Sequence, residues 1–183
     1  NSGNLCDMST ALATCGDSVN SYEIIKTMLK TFLTSNLILS SGDNSGMGIA
    51  EYEPYTSFEI DKNIGFCNAL QNMFINSGKD SITLFNALPS EFVKGNVENV
   101  VLDNQIKADL DFNIKRGIVV LKLKSPKTTL VTLNLPKGLK KVKGVNISQV
   151  DLQNNIVNDL NLQANKNCVL KIYFKNEHIN SIK

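Results

Sequence analysis

Near residue 80 the hydrophobic period of the chain changes from the 3.6 of helices to the 2 of strands, and that change limits the fold more than any other feature. Ahead of it, apolar residues recur at helical spacing three times. Leu5, Met8, Leu12 and Cys15 mark a helix over residues 4–15, Gly16 stops it, and Asp17 or Ser18 is placed to cap the next. Tyr22, Ile25, Met28, Leu29, Phe32 and Leu33 form one stripe across 19–34, with Lys26, Thr27 and Lys30 off it, so the first two helices should pair as an αα-hairpin with the stripe in the core. Cys67, Leu70, Met73 and Phe74 mark a third helix over about 64–77, ended by Gly78. The intervening 35–57 stretch is rich in glycine and serine and reads as a long surface loop, a kind that is usually functional or mobile.

Beyond Ser81 the pattern alternates. Ile106, Ala108, Leu110 and Phe112 form one such run and Val119, Leu121 and Leu123 another, with Arg116-Gly117 as the hairpin turn between them. Further strands are expected at 128–135, 139–147 and 167–175, giving an antiparallel β-sandwich of roughly six to ten strands. Helices followed by strands predict an α+β fold of two packed subdomains, residues 1–80 and 81–183, rather than an interleaved α/β sheet. Three helices are too few for a large all-α domain. If they belong to a bigger helical array, this chain carries its last part.

Composition removes several function classes. With 42% hydrophobic and 20% charged residues the chain is of the soluble globular type. Its net charge is +2 and its basic residues are scattered, so nucleic acid is not an expected partner. No apolar run reaches the roughly 18–20 residues of a membrane span, and residues 1–20 lack the pattern of a signal peptide, so no membrane partner is expected. The opening Asn1-Ser2-Gly3-Asn4 runs straight into helical pattern as though cut from something longer, which leaves localisation open, a secreted or cell-surface parent being one outcome. Cys6, Cys15, Cys67 and Cys168 show no Cys-x-x-Cys spacing and read as buried free thiols. His178 is the only histidine, so neither a zinc site nor a Ser-His-Asp triad has material, and no metal or cofactor is expected. Asn146-Ile147-Ser148 is a glycosylation sequon by pattern, as chance allows in a chain this rich in asparagine, and the sequence alone assigns it no function.

A group of segments carries more information. Gly16-Asp17, Tyr22-Glu23-Ile24-Ile25-Lys26, Asn36-Leu37, Phe58-Glu59-Ile60-Asp61-Lys62-Asn63-Ile64-Gly65, Asn86-Ala87-Leu88-Pro89 and Gly95-Asn96-Val97 resemble, in order and approximate spacing, the C-terminal part of glycoside hydrolase family 95. The resemblance spans roughly residues 3–135. It implies the last helices of an (α/α)6 barrel followed by a C-terminal β-domain, from inverting α-L-fucosidases and related α-L-galactosidases. In the family's Phe-Gln-Ile-Asp-Gly-Asn-x-Gly stretch the aspartate is placed as general base. That residue falls on Asp61, with Phe58, Glu59 and Asn63 as the implied substrate-binding neighbours and Gly65 as the closing glycine. Departures accompany the match. Glu59 replaces glutamine, Lys62 replaces glycine, Tyr55-Thr56-Ser57 stands where the family has His-Pro-Pro, Asn76-Ser77 ends a helix that usually closes in Gln-Ser-His, and Phe92 replaces a tryptophan.

Inverting hydrolysis needs an acid on the leaving oxygen and a carboxylate activating water on the opposite face, roughly 6.5–9.5 Å apart. Asp61 fits the second role. The resemblance puts the acid upstream of this chain, so the partners it implies are a glycan substrate and an upstream helical barrel, and the chain alone is expected to be inactive. The plain structural reading of Asp61 is a helix N-cap, with Asn63 an equal candidate, and Glu51, Glu53 and Glu59 read as solvated loop charges. Two rival functions stand beside the hydrolase. A non-catalytic carbohydrate-binding or structural sandwich of a degenerate homologue would show exposed aromatic platforms, yet there is no Trp, and of Tyr173 and Phe174 at least one must face the core. A phosphorylase would need a phosphate-cradling cluster where Asp61 stands.

Overall fold

The computed structural model describes residues 2–33, 37, 39 and 60–175. Among them, three helices, α1 (Ser2–Thr14), α2 (Ser18–Thr31) and α3 (Ile60–Phe74), precede ten strands. The strands are β1 (Ile75–Gly78), β2 (Ser81–Leu84), β3 (Lys94–Val101), β4 (Lys107–Asn113), β5 (Ile118–Lys124), β6 (Thr129–Asn134), β7 (Leu139–Gly144), β8 (Gln149–Asp151), β9 (Ile156–Leu162) and β10 (Asn167–Phe174). Two five-stranded sheets result, in the orders β1-β2-β6-β9-β8 and β3-β4-β5-β10-β7. The fold is α+β, with antiparallel-rich sheets, as the change of period predicts.

The expected β4–β5 hairpin forms around Gly117, whose positive φ of 62° is a conformation glycine adopts without strain, while Asn113 Oδ1 accepts the Arg116 N–H at 3.0 Å. Alternation then buries Leu110 and Phe112 on β4 and Leu121 and Leu123 on β5, facing Val131 and Leu133 of β6 in one core. In β10 it is Phe174 that turns inward, whereas Tyr173 is half-buried under Lys143.

Four features depart from expectation. The sandwich is not wholly antiparallel: β2 pairs parallel with β6, Ile82 opposite Leu133. Parallel neighbours need a long crossover, and β3, β4 and β5 supply it by crossing to the facing sheet. The third helix begins at Ile60 and stops at Phe74, where the chain passes without a linker into β1, Ile75 opposite Leu84. The Asn76-Ser77-Gly78 segment read as a helix end is therefore a strand. The apolar stripe of α1 faces outward: Met8 is 54% exposed, and the buried face is Cys6, Ser9 and Ala13. Small residues win that position because the helices lie close, and Ser9 Oγ bonds the Ser21 carbonyl at 3.1 Å while Ser21 Oγ bonds that of Ser9 at 2.8 Å. Finally, all four cysteines are free thiols, but only Cys6 and Cys168 are buried; Cys15 and Cys67 are exposed, as is Leu29 of the α2 stripe.

Helices and sheets share one apolar core. Ala13, Ile25 and Met73 belong to the same buried cluster as the strand residues. Aromatic rings run through the junction, Tyr22 to Phe92 at 5.4 Å between centroids, Phe92 to Phe74 at 5.1 Å, Phe74 to Phe112 at 5.8 Å and Phe112 to Phe85 at 5.3 Å.

The Asn86-Ala87-Leu88-Pro89 segment ties the end of α1 to this junction. Asn86 Nδ2 donates to the Ala13 and Thr14 carbonyls at 2.8 and 2.7 Å, sharing the first with the Gly16 N–H and satisfying the second, which the helix leaves open at its C-terminus. Gly16 follows with φ +85°. Asn86→Ala should lower stability by about 1–3 kcal/mol. Asn86→Asp should be no better, since a carboxylate cannot donate and faces the negative end of the helix dipole. Thermal melts of both variants check this, and a wild-type Tm for the Asp variant would refute it.

Both edges of the β3–β7 sheet are guarded. Lys140, Lys141 and Lys143 stand exposed along β7, and β3 carries a register shift between Val97 and Val100. At that bulge Asn99 has φ 57°, and its N–H donates to Asp109 Oδ1 at 2.9 Å, while Lys122 Nζ donates to Oδ2 at 2.9 Å. The Asn99 amide first and the Lys122 ammonium second hold the Asp109 carboxyl below its ordinary pKa. A depressed folded pKa contributes stability that is present at neutral pH and lost as pH falls through the folded value. Asp109→Asn should therefore flatten the loss of Tm seen on acidification from neutral pH to about pH 2. An unchanged acid limb in that variant would exclude Asp109 as a contributor.

Candidate functional site

Asp61 lies in the first turn of α3 and is exposed. A carboxylate there complements the positive end of the helix dipole. It makes no hydrogen bond or ion pair with any other described residue. Phe58 and Glu59, together with the 40–57 stretch and His178, lie outside the described residues.

Asn63 stands half a turn further on, and its amide is already engaged. Its Oδ1 accepts the Leu39 N–H at 2.8 Å and its Nδ2 donates to the Leu37 carbonyl at 3.1 Å. That two-point grip fixes the backbone on either side of residue 38. It also seats Leu39, 1% exposed, in a small core with Cys6 and Met28, where Leu39 bridges to Leu33.

Gly65 has an equally definite job. A Cβ there would stand 3.0 Å from Cys6 Cβ and 3.2 Å from its Sγ, so the glycine sets the approach of α1 to α3. Across the same contact Cys6 Sγ donates to the Lys62 carbonyl at 3.5 Å. Burial pushes the Cys6 thiol pKa up, and the charges of Asp7 and then Asp61 add to it. A thiol held protonated is no nucleophile at neutral pH. The contact of Cys6 with Lys62 and Gly65, which the sequence pattern does not single out, is what brings α1 against this end of α3.

Beside the seam, Leu5, Met8, Leu12 and Ile24 line an open groove of about 330 Å³ along α1 and α2, with Asn20, Glu23 and Thr27 at its margin. On the sandwich, Lys94, Asp111, Asn113, Arg116 and Ile118 line a hollow of about 270 Å³. Among the described residues no three His, Cys, Asp or Glu side chains cluster as a metal would require. Among the described residues no helix is long and apolar enough to cross a membrane.

No protein-family model matches the chain, and no curated protein matches it. Among solved structures it is similar to a GH127 β-L-arabinofuranosidase from Geobacillus stearothermophilus, at 14% identity and a TM-score of 0.39 over 96% of this chain. The chain spans 28% of the length of that enzyme. Identity and TM-score at that level establish neither a family nor an activity for it.

Proposed function

We propose that the chain is the C-terminal portion of a glycoside hydrolase that removes α-linked L-fucose or a related sugar from glycans with inversion, residues 1–80 contributing the last helices of an (α/α)6 barrel and residues 81–183 the β-sandwich behind it. The observation that carries the reading is the division of labour along the Asp61-Lys62-Asn63-Ile64-Gly65 segment. Asn63 grips the 37–39 backbone and Gly65 admits Cys6, so packing accounts for both. Asp61 has no such partner among the described residues and presents its carboxylate to solvent. An exposed carboxylate whose one structural use is the helix dipole, held on a helix beside a clamped segment, suits a general base that must meet water and substrate. The amide of Asn63 then acts on sugar indirectly, by fixing the wall beside Asp61, and Phe58 and Glu59 supply the remaining contacts. The outward stripe of Leu5, Met8, Leu12 and Ile24 suits a hairpin that packs on further helices.

A direct test follows the product of the full-length parent by NMR. An inverting enzyme releases β-L-fucose first from an α-fucoside, and α-L-fucose appears only as the sugar mutarotates. Initial release of the α anomer would refute single displacement, and turnover by the isolated 183-residue chain would refute the upstream acid. The alternative, a non-catalytic carbohydrate-binding or structural module, expects no turnover by either.

A further inference from the structure

Asn146-Ile147-Ser148 is the sole Asn-x-Ser/Thr tripeptide in the 183 residues. It occupies an exposed bend between β7 and β8, outside the pairing of either strand. Asn146 has φ 62°, a left-handed conformation that asparagine tolerates, and its carboxamide bonds to no other described residue. The bend itself is firmly held. The Asn161 N–H donates to the Asn146 carbonyl at 3.3 Å, Ser148 Oγ donates to the Asn158 and Asp159 carbonyls at 3.0 and 3.2 Å, and Ile147 packs on the core.

Next to the bend lies a hollow of about 380 Å³ lined by Leu130, Asn146, Ile147, Ser148, Asp159 and Asn161. Leu130, 54% exposed, offers the hollow an apolar wall. Asn161 Oδ1 is buried and accepts no hydrogen bond from any described residue. A sugar residue suits such a surface, since its C–H face covers the aliphatic Leu130 and its hydroxyl and acetamido groups meet the polar side chains of Ser148 and Asp159.

We propose that Asn146 is an N-glycosylation site whose first sugar rests in this hollow. The donor is a lipid-pyrophosphate-linked oligosaccharide. Nδ2 of Asn146 bonds to the anomeric carbon as the carbon–oxygen bond to pyrophosphate breaks; the lipid pyrophosphate leaves with that electron pair, and the amide proton passes to a base of the transferase. The reaction requires the chain to enter a secretory lumen, and it involves neither Asp61 nor its neighbours.

The test translates the full chain behind a cleavable signal sequence in the presence of microsomes and reads only the protease-protected fraction. Expected is a glycan that a peptide amidase removes, converting the modified Asn146 to an aspartate labelled with heavy oxygen from the water. The glycan should be absent in Asn146→Gln and Ser148→Ala and retained in Ser148→Thr. An unmodified Asn146 in the protected chain, or a glycan that survives Ser148→Ala, would overturn the site. For the seating, the glycoprotein trimmed to one sugar is compared with the fully deglycosylated chain by amide hydrogen exchange. Slower exchange at residues 145–148 and 159–161 is expected with the sugar present. Equal exchange would overturn the seating.

Discussion

Asp61→Asn in the full-length parent should lower kcat for α-L-fucoside hydrolysis by about 100-fold or more while leaving KM and Tm close to wild type. Asparagine keeps the shape of the side chain and its place in the first turn of α3, but it cannot take a proton from the attacking water. The stability cost is bounded. A first-turn carboxylate contributes only about 0.3–1 kcal/mol through the helix dipole, and Asp61 has no described partner whose loss would add to that. If Asp61 serves the helix alone, the variant loses that small increment and keeps its turnover. Measuring kcat, KM and Tm on one preparation separates the readings, and near wild-type kcat would remove Asp61 from the mechanism. Asn63→Ala supplies a contrast, because it releases Leu37 and Leu39 and should weaken stability and activity together.

What the sequence disclosed about this fold depended on whether a single face decided each residue. In β4 and β5 it did, and strict alternation placed Leu110, Phe112, Leu121 and Leu123 in the core. β9 was illegible because Asp159, at φ 49°, changes the inward parity from Val157 to Leu160 and Leu162. β3 is an edge strand with few buried positions, and β1 is four residues continuing an apolar helix without a break. For α1 the pattern misled, since its largest apolar residues line an open groove while Cys6, Ser9 and Ala13 make the close contacts. The candidate site divides similarly. Asp61, Asn63 and Gly65 could be picked out as a motif, but the grip on residues 37–39 and the approach of Cys6 to Gly65 depend on segments distant in sequence. No local pattern encodes those.

Phe112→Ala should produce the largest loss of stability, and it also tests whether helices and sandwich melt as one unit. The ring is 1% exposed, touches Phe74 and Phe85 edgewise or tilted, and lies so close over Gly95 that a Cβ there would stand 3.1 Å from it. Neighbours packed on every side relax only in part, so a cavity term adds to the lost burial. Truncation of a buried Phe costs about 3–5 kcal/mol. For a domain of this size that lowers Tm by roughly 6–20 °C. Leu130→Ala, on the exposed rim of the sandwich, should by contrast stay within about 0.5 kcal/mol of wild type. Because Phe74 belongs to α3 and connects through Phe92 to Tyr22 of α2, the weakened core should carry the helices with it. Helical circular dichroism and the near-ultraviolet tyrosine signal, to which Tyr173 of β10 contributes as well as Tyr22, should then fall in one transition, shifted equally by the substitution. A helical transition that stays at its wild-type temperature while the sheets melt early would show that the aromatic row does not couple the two halves.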